Sequence, residues 1–212
     1  MLTMPKIHGF RGLASTFGQG WSPLAWLLAA AASVLTTACA ASPADPPEVA
    51  SKIEIHRYLG TWHEIARLPF SRQEGCAGTT ATYSLRDDGA LEVVNRCRDG
   101  GLDGEERRAV GKAWVVDSTS NAKLKVQFFW PFQGDYWVLD VDPGYRWALV
   151  GTPDRRYLWI LSRSATVDAE LYRDLVTRAE AKGYPVERLI QTPQPTAATP
   201  ERASLESATS ES

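Results

Sequence analysis

The sequence predicts an all-β protein, an eight-stranded antiparallel up-and-down β-barrel with one C-terminal α-helix packed outside. Three observations carry that prediction. Short runs rich in branched and aromatic residues recur at even spacing from Thr61 to Ser162, each bounded by Gly, Pro, Asn or Asp. No helical pattern falls between them, so the strands connect as a meander and not as parallel crossovers. A single stripe of apolar residues spaced four apart follows the last run.

The elements follow in order. Thr61–Leu68 is the first strand. Thr79–Leu85 and Leu91–Cys97 flank Asp87-Asp88-Gly89, a hairpin signal because Asp and Gly adopt the backbone angles of a tight turn. Asp99–Gly104 reads as a glycine-rich loop, and Ala109–Val116 as the fourth strand. Lys123–Phe129, Tyr136–Val141, Tyr145–Val150 and Tyr157–Ser162 complete eight, separated by Asn121, Pro131–Gly134, Pro143-Gly144 and Pro153-Asp154. Eight strands close into a barrel wide enough for one small ligand. The helix has Thr166 as N-cap, Asp168 and Glu170 near the positive end of its dipole, and Val167, Leu171, Leu175 and Ala179 as the apolar face. Lys182, Gly183 and Pro185 stop it, and Val186–Ile190 adds a short edge strand.

The chain ends have a different composition from this body. Residues 1–38 carry Lys6 and Arg11, no acid, and an apolar run over Trp21–Val34 shorter than the roughly 20 residues of a spanning helix. Leu35-Thr36-Thr37-Ala38-Cys39 resembles a bacterial lipobox, in which a signal peptide is removed before a cysteine that carries acyl chains such as palmitate. Cys39 is therefore the expected lipidation site, with 39–51 a lipidated N-terminus and Pro-rich linker, 52–191 the barrel domain, and 192–212 a disordered Pro/Ala/Thr/Ser tail. Ala40 after the cysteine resembles lipoproteins sorted to the outer membrane, where the domain would face the periplasm. The formal charge of −2, about −4 once Lys6 and Arg11 are removed, excludes a phosphate-neutralising nucleic-acid binder. It also assigns membrane attachment to acyl chains, since more than one chain anchors stably without basic residues.

Within the body, Gly60-Thr61-Trp62 and the surrounding Tyr58–Arg67 resemble the Gly-x-Trp opening of the lipocalin family, in its apolipoprotein D and bacterial outer-membrane branch. Ala81–Leu85, Gly111-Lys112-Ala113, Tyr136–Asp140, Thr152-Pro153-Asp154 and Tyr157–Arg163 match in order, covering about residues 55–192. The resemblance implies that Gly60 and Trp62 close one end of the barrel with Arg163 laid across the indole, a cation–π contact of about 0.5–2 kcal/mol. It also implies a small lipophilic ligand such as a fatty acid or lysophospholipid, bound for lipid storage, transport and membrane maintenance.

Strand alternation points Glu64, Ala66, Tyr83, Asn95, Val126, Phe128, Tyr136 and Val138 into the lumen, an apolar lining with a few polar groups. The register of the Asp87–Gly89 hairpin brings Cys76 and Cys97 near one another, though not directly opposite, and a compartment that permits disulfides favours a bridge. The odd-numbered connections, Pro69–Ala77, Arg98–Glu105, Trp130–Asp135 and Thr152–Arg156, form the open mouth. Phe129-Trp130-Pro131-Phe132 and Leu68-Pro69-Phe70 place aromatic rings there. Such a lip either meets membrane lipid or a second copy in a homodimer, or folds inward as pocket wall. No convergent reactive groups, phosphate-binding loop or metal-ligand spacing accompanies His56 and His63, so the reading is a binder that is not an enzyme and uses no cofactor. A haem or pigment carrier, an enzyme using Glu64 or His63 on a lipophilic substrate, and a purely structural lipoprotein are the competing readings.

Overall fold

The computed structural model describes residues 45–195. Residues 1–44, with the signal segment and Cys39, and the tail beyond 195 lie outside the described residues. A one-turn helix α1 (Ile55–Tyr58) precedes β1 (Gly60–Arg67). Then come β2 (Cys76–Leu85), β3 (Leu91–Asp99), β4 (Glu106–Val115), β5 (Lys123–Phe129), β6 (Phe132–Val141), β7 (Trp147–Gly151) and β8 (Leu158–Ser162). Each strand pairs antiparallel with the next, and β1 pairs with both β2 and β8, closing the ring.

Several boundaries differ from the sequence expectation. β2, β4 and β6 begin three or four residues earlier, at Cys76, Glu106 and Phe132, because antiparallel pairing runs on to the mouth, with Cys76 opposite Asp99, Glu106 opposite Arg98 and Phe132 opposite Phe129. The expected Trp130–Asp135 loop is thereby reduced to a tight turn, with Phe129 paired to Phe132 across it. Tyr145 is not in a strand: its φ of 58° belongs to the turn before β7.

Helix α2 (Ala169–Ala181) is capped by Asp168 and not Thr166, since the Asp168 carboxylate accepts the Leu171 N–H at 2.7 Å. Val167 thus sits outside the helix, yet it still packs with Leu171, Leu175 and Ala179 on the outer faces of β1, β6, β7 and β8. The expected edge strand shrinks to β9 (Ile190–Gln191), paired with β1 at Ala66 and Arg67, and Val186–Arg188 forms a 3-10 turn instead.

Two apolar clusters share the wall between them. One fills the barrel around Trp62, Tyr83, Leu91, Val93, Leu124, Val138 and Leu161. The other lies outside, under α2, around Leu139, Leu149, Leu158, Ile160 and Leu175. β7 shows the division residue by residue: Ala148 and Val150 belong to the inner cluster, Trp147 and Leu149 to the outer one.

The segment after β9 is not a solvated tail from Thr192 onward. β1 and β2 pair only from Gly60 to His63, and nearer the mouth residues 190–194 fill the gap between them. Thr192 N–H donates to Ile65, Gly78 N–H donates to Pro193, and the Gln194 amide bridges the carbonyls of Glu64 and Thr79. On the N-terminal side the last residues of the expected linker are also fixed, with Pro47 buried and Ala50 N–H donating to Val138.

Candidate functional site

The closed end is built on Gly60. Its φ of +91° lies in the left-handed region, where a side chain is strained, and a Cβ there would stand 3.4 Å from Arg163 Nη1. That approach lets Arg163 cover the base. Its guanidinium carbon lies 3.8 Å from the Trp62 ring centroid, and its nitrogens donate to the carbonyls of Thr61, Arg57 and Leu59 at 2.8–2.9 Å. Trp62 is fully buried and donates its indole N–H to Tyr58. Each carbonyl so capped is one that no neighbouring strand reaches, so the cation closes the barrel where sheet hydrogen bonds end.

Above Trp62 three phenols converge. Tyr83 donates to the Tyr136 hydroxyl at 2.8 Å, and the Tyr58 and Tyr136 hydroxyls are also 2.8 Å apart. Burial holds all three well above the usual phenol range, Tyr83 at about 12, so they remain neutral. Three hydroxyl protons serve two contacts, which leaves one donor for anything seated on this floor. Higher up, Asn95, Val126 and Phe128 line the wall, half-buried. The Asn95 side-chain oxygen has no partner. Phe128 fits because position 111 is glycine: a Cβ there would stand 2.7 Å from the Phe128 ring.

A polar cluster lies near the mouth. Glu64 is buried and accepts from Thr192 Oγ1 and from Gln73 Nε2, with Arg67 Nε at 3.4 Å. Gln73 in turn accepts the Trp159 indole N–H, and its carbonyl takes Arg67 Nη2. Desolvation raises the Glu64 carboxyl, offset in part by the hydrogen bonds from Thr192 and Gln73 and by the Arg67 charge. Gln73 belongs to a 3-10 turn, Ser71–Gln73, which carries the β1–β2 connection across the opening. Arg107 pins that connection by donating to the carbonyls of Arg72 and Glu74. A disulfide between Cys76 and Cys97, with Cα atoms 5.4 Å apart, fixes its far end to β3.

Of the eight lumen residues expected from alternation, seven face inward: Tyr83, Val126, Phe128, Tyr136 and Val138 pack in the inner cluster, and Glu64 and Asn95 follow Trp62 and Val93 of that cluster by two along their strands. Ala66 does not. A bulge between Glu64 and Ala66 in the β1–β8 ladder shifts the phase by one, so Ala66 packs outside under α2 and Arg67 turns inward. Alternation along β8 could have found Trp159, which lies two residues before inward Leu161. Tyr58 was missed because it sits on α1, four residues before the Trp62 ring that it touches at 5.0 Å. No local signal pointed to Gln73, Thr192 or Gln194. His63 alternates to the outside, beside Ser162. The rings at the β5–β6 tip do not fold inward: Phe129, Trp130 and Phe132 are 59%, 86% and 73% exposed. Phe70, in contrast, packs edge-on against Tyr157 and Trp159 at the rim. Shallow depressions beside the Asp87–Asp88 turn are open and floored by charged side chains, and they lie at the opposite end from these groups. Among the described residues no three metal-ligating side chains come together.

An eight-stranded barrel closed at one end by Trp62 and Arg163 and mainly apolar within has the architecture of the barrels that hold a single small molecule. The chain belongs to the lipocalin family: residues 53–194 match the lipocalin-like domain. It is 43% identical over 169 residues to the outer membrane lipoprotein Blc of Escherichia coli, covering 79% of this chain and 94% of that protein. It is also 43% identical over 157 residues to temperature-induced lipocalin-1 of Arabidopsis thaliana, covering 69% and 82%. Among solved structures the fold is similar to insecticyanin of Manduca sexta, with a TM-score of 0.58, 22% identity, and 73% and 87% coverage.

Proposed function

We propose that this protein is an outer-membrane-anchored carrier facing the periplasm, holding a fatty acid or lysophospholipid in its barrel for lipid storage, transport and membrane maintenance. The observation that supports this most directly is the distribution of polarity along the lumen. An apolar wall formed by Val126 and Phe128 lies between the tyrosine floor and the Glu64–Arg67–Gln73 cluster near the mouth. Such a lumen suits one alkyl chain with a polar end. The anchor is the acylated Cys39 left after removal of residues 1–38, in keeping with relatives named as outer membrane lipoproteins. The protein acts here as a binder and not as an enzyme, since Glu64, the one buried lumen carboxylate, is occupied by Thr192 and Gln73.

Native mass spectrometry of delipidated protein offered equimolar fatty acid, lysophospholipid and haem tests the ligand. One retained lipid per chain is expected. Retained haem, visible as a Soret band, overturns the reading, as does retention of none of the three.

A further inference from the structure

Asp45 lies at the same rim of the barrel as the exposed aromatic tip. The carbonyl of Asp45 accepts from Arg155 Nη2 at 2.7 Å, and Arg155 lies in the Thr152–Tyr157 connection between β7 and β8, at the mouth. From there the segment runs toward the base: Glu48 accepts from Lys182 just past α2, and Ile53 N–H donates to Ser120 in the β4–β5 connection at the closed end. Cys39 is six residues before Asp45, a distance of at most about 20 Å even fully extended. Strands of 8–10 residues stand about 30 Å tall before tilt, so an anchor on that tether cannot pass the closed end.

The same rim presents Phe129, Trp130 and Phe132 on one hairpin, each more than half exposed. At the closed end the large exposed apolar side chains are Leu85 and Val116, both aliphatic and on separate strands' ends. Tryptophan and phenylalanine at a protruding tip favour the bilayer interface, where a ring is apolar on its faces and the indole N–H meets the headgroups. The mouth connections carry charges of both signs (Arg72, Arg155 and Arg156 beside Glu74, Asp103 and Asp154), so they supply no field that selects anionic lipid.

We propose that the β5–β6 tip inserts into the interface of the phospholipid leaflet to which Cys39 is anchored. The barrel then docks mouth-first, and a lipid passes between leaflet and lumen without crossing water. This rests on the anchored-carrier reading above and adds to it an orientation and a contact surface.

The test uses the mature acylated protein in phosphatidylethanolamine/phosphatidylglycerol vesicles, with a nitroxide at Gln133→Cys beside the tip or at Asp87→Cys in the closed-end turn. Accessibility to oxygen relative to a water-soluble nickel chelate is expected to be severalfold higher at 133 than at 87. It should fall to the value at 87 in Trp130→Ser/Phe132→Ser, and remain unchanged when phosphatidylglycerol is varied. Equal aqueous accessibility at both labels overturns the docking, as does dipolar coupling between 133 labels of two copies, which would make the tip a dimer contact. The N-terminal peptide mass from the same sample separates the two ideas. Acylated Cys39 with both labels in water overturns the docking alone, whereas unmodified Cys39 overturns the anchor and the docking with it.

Discussion

The two ends of the barrel solve the problem of unpaired strand termini in opposite ways. At the base a permanent cation does it: Arg163 stacks on Trp62 and caps three carbonyls, and the adjacent turn is held by Asp142, which takes two N–H bonds from the Arg146 side chain and further ones from the backbone of Gly144 and Arg146. At the mouth the task is spread over several groups, with a buried, titratable Glu64 at their centre held by Gln73, Thr192 and the nearby Arg67. The two acids consequently respond to pH with opposite sign. Hydrogen bonds from Arg146 hold Asp142 down to about 2, whereas burial pushes Glu64 up. The base is built to stay closed, and the opening is built from contacts that can be exchanged.

The largest effect should come from the base. Trp62→Ala empties the fully buried plug and should cost about 3–5 kcal/mol, read as a lower urea midpoint for the whole domain. Removing the mouth disulfide by Cys76→Ser/Cys97→Ser releases a constraint across 21 residues and should cost about 3 kcal/mol. If proteolysis then cuts first within 68–75, the loss is confined to the mouth as the comparison requires.

Asp142→Asn should cost about 1–2 kcal/mol at pH 7, reduced from the full linkage because Arg146 is solvent-exposed. A depressed carboxyl stabilises above its ordinary value and loses that contribution as pH falls from 3.8 toward 2, so the variant and the parent should converge there in a melting series. Glu64→Gln should change a slope. A raised carboxyl opposes folding increasingly as pH climbs above its ordinary 4.5, so the parent's melting temperature should decline over that range. The variant's should not, and a parallel decline in both would break the contrast. Smallest of all, Trp130→Ser/Phe132→Ser should shift stability by less than about 0.5 kcal/mol, because neither ring is buried.

Features set by local chemistry were legible in the sequence. The Asp87–Gly89 turn fixed a hairpin register from Leu85–Leu91 to Thr80–Arg96, and a bulge between Ala77 and Thr80 then shifts it so that Cys76 lies opposite Asp99, within reach of Cys97 two residues away. Trp62 and Arg163 were readable from the family resemblance, and period-two alternation found Tyr83 and Tyr136. What stayed hidden is what alternation cannot encode. One bulge after Glu64 exchanged Ala66 for Arg67. Thr192 meets Glu64 across 128 residues of sequence, and a stretch of Thr, Pro and Gln reads as solvated when no partner is visible. Whether the rings around Trp130 face in or out depended on the length of the turn, which pairing of Phe129 with Phe132 decided.

The filling of the β1–β2 gap by residues 190–194 also makes part of the vessel's side wall a loan from the far end of the domain. Without those residues β1 and β2 would stand apart near the mouth, with Glu64 and the Thr79 carbonyl facing the slot between them. A chain cut just before Ile190 would keep all eight strands and α2 and still carry a leak beside its opening.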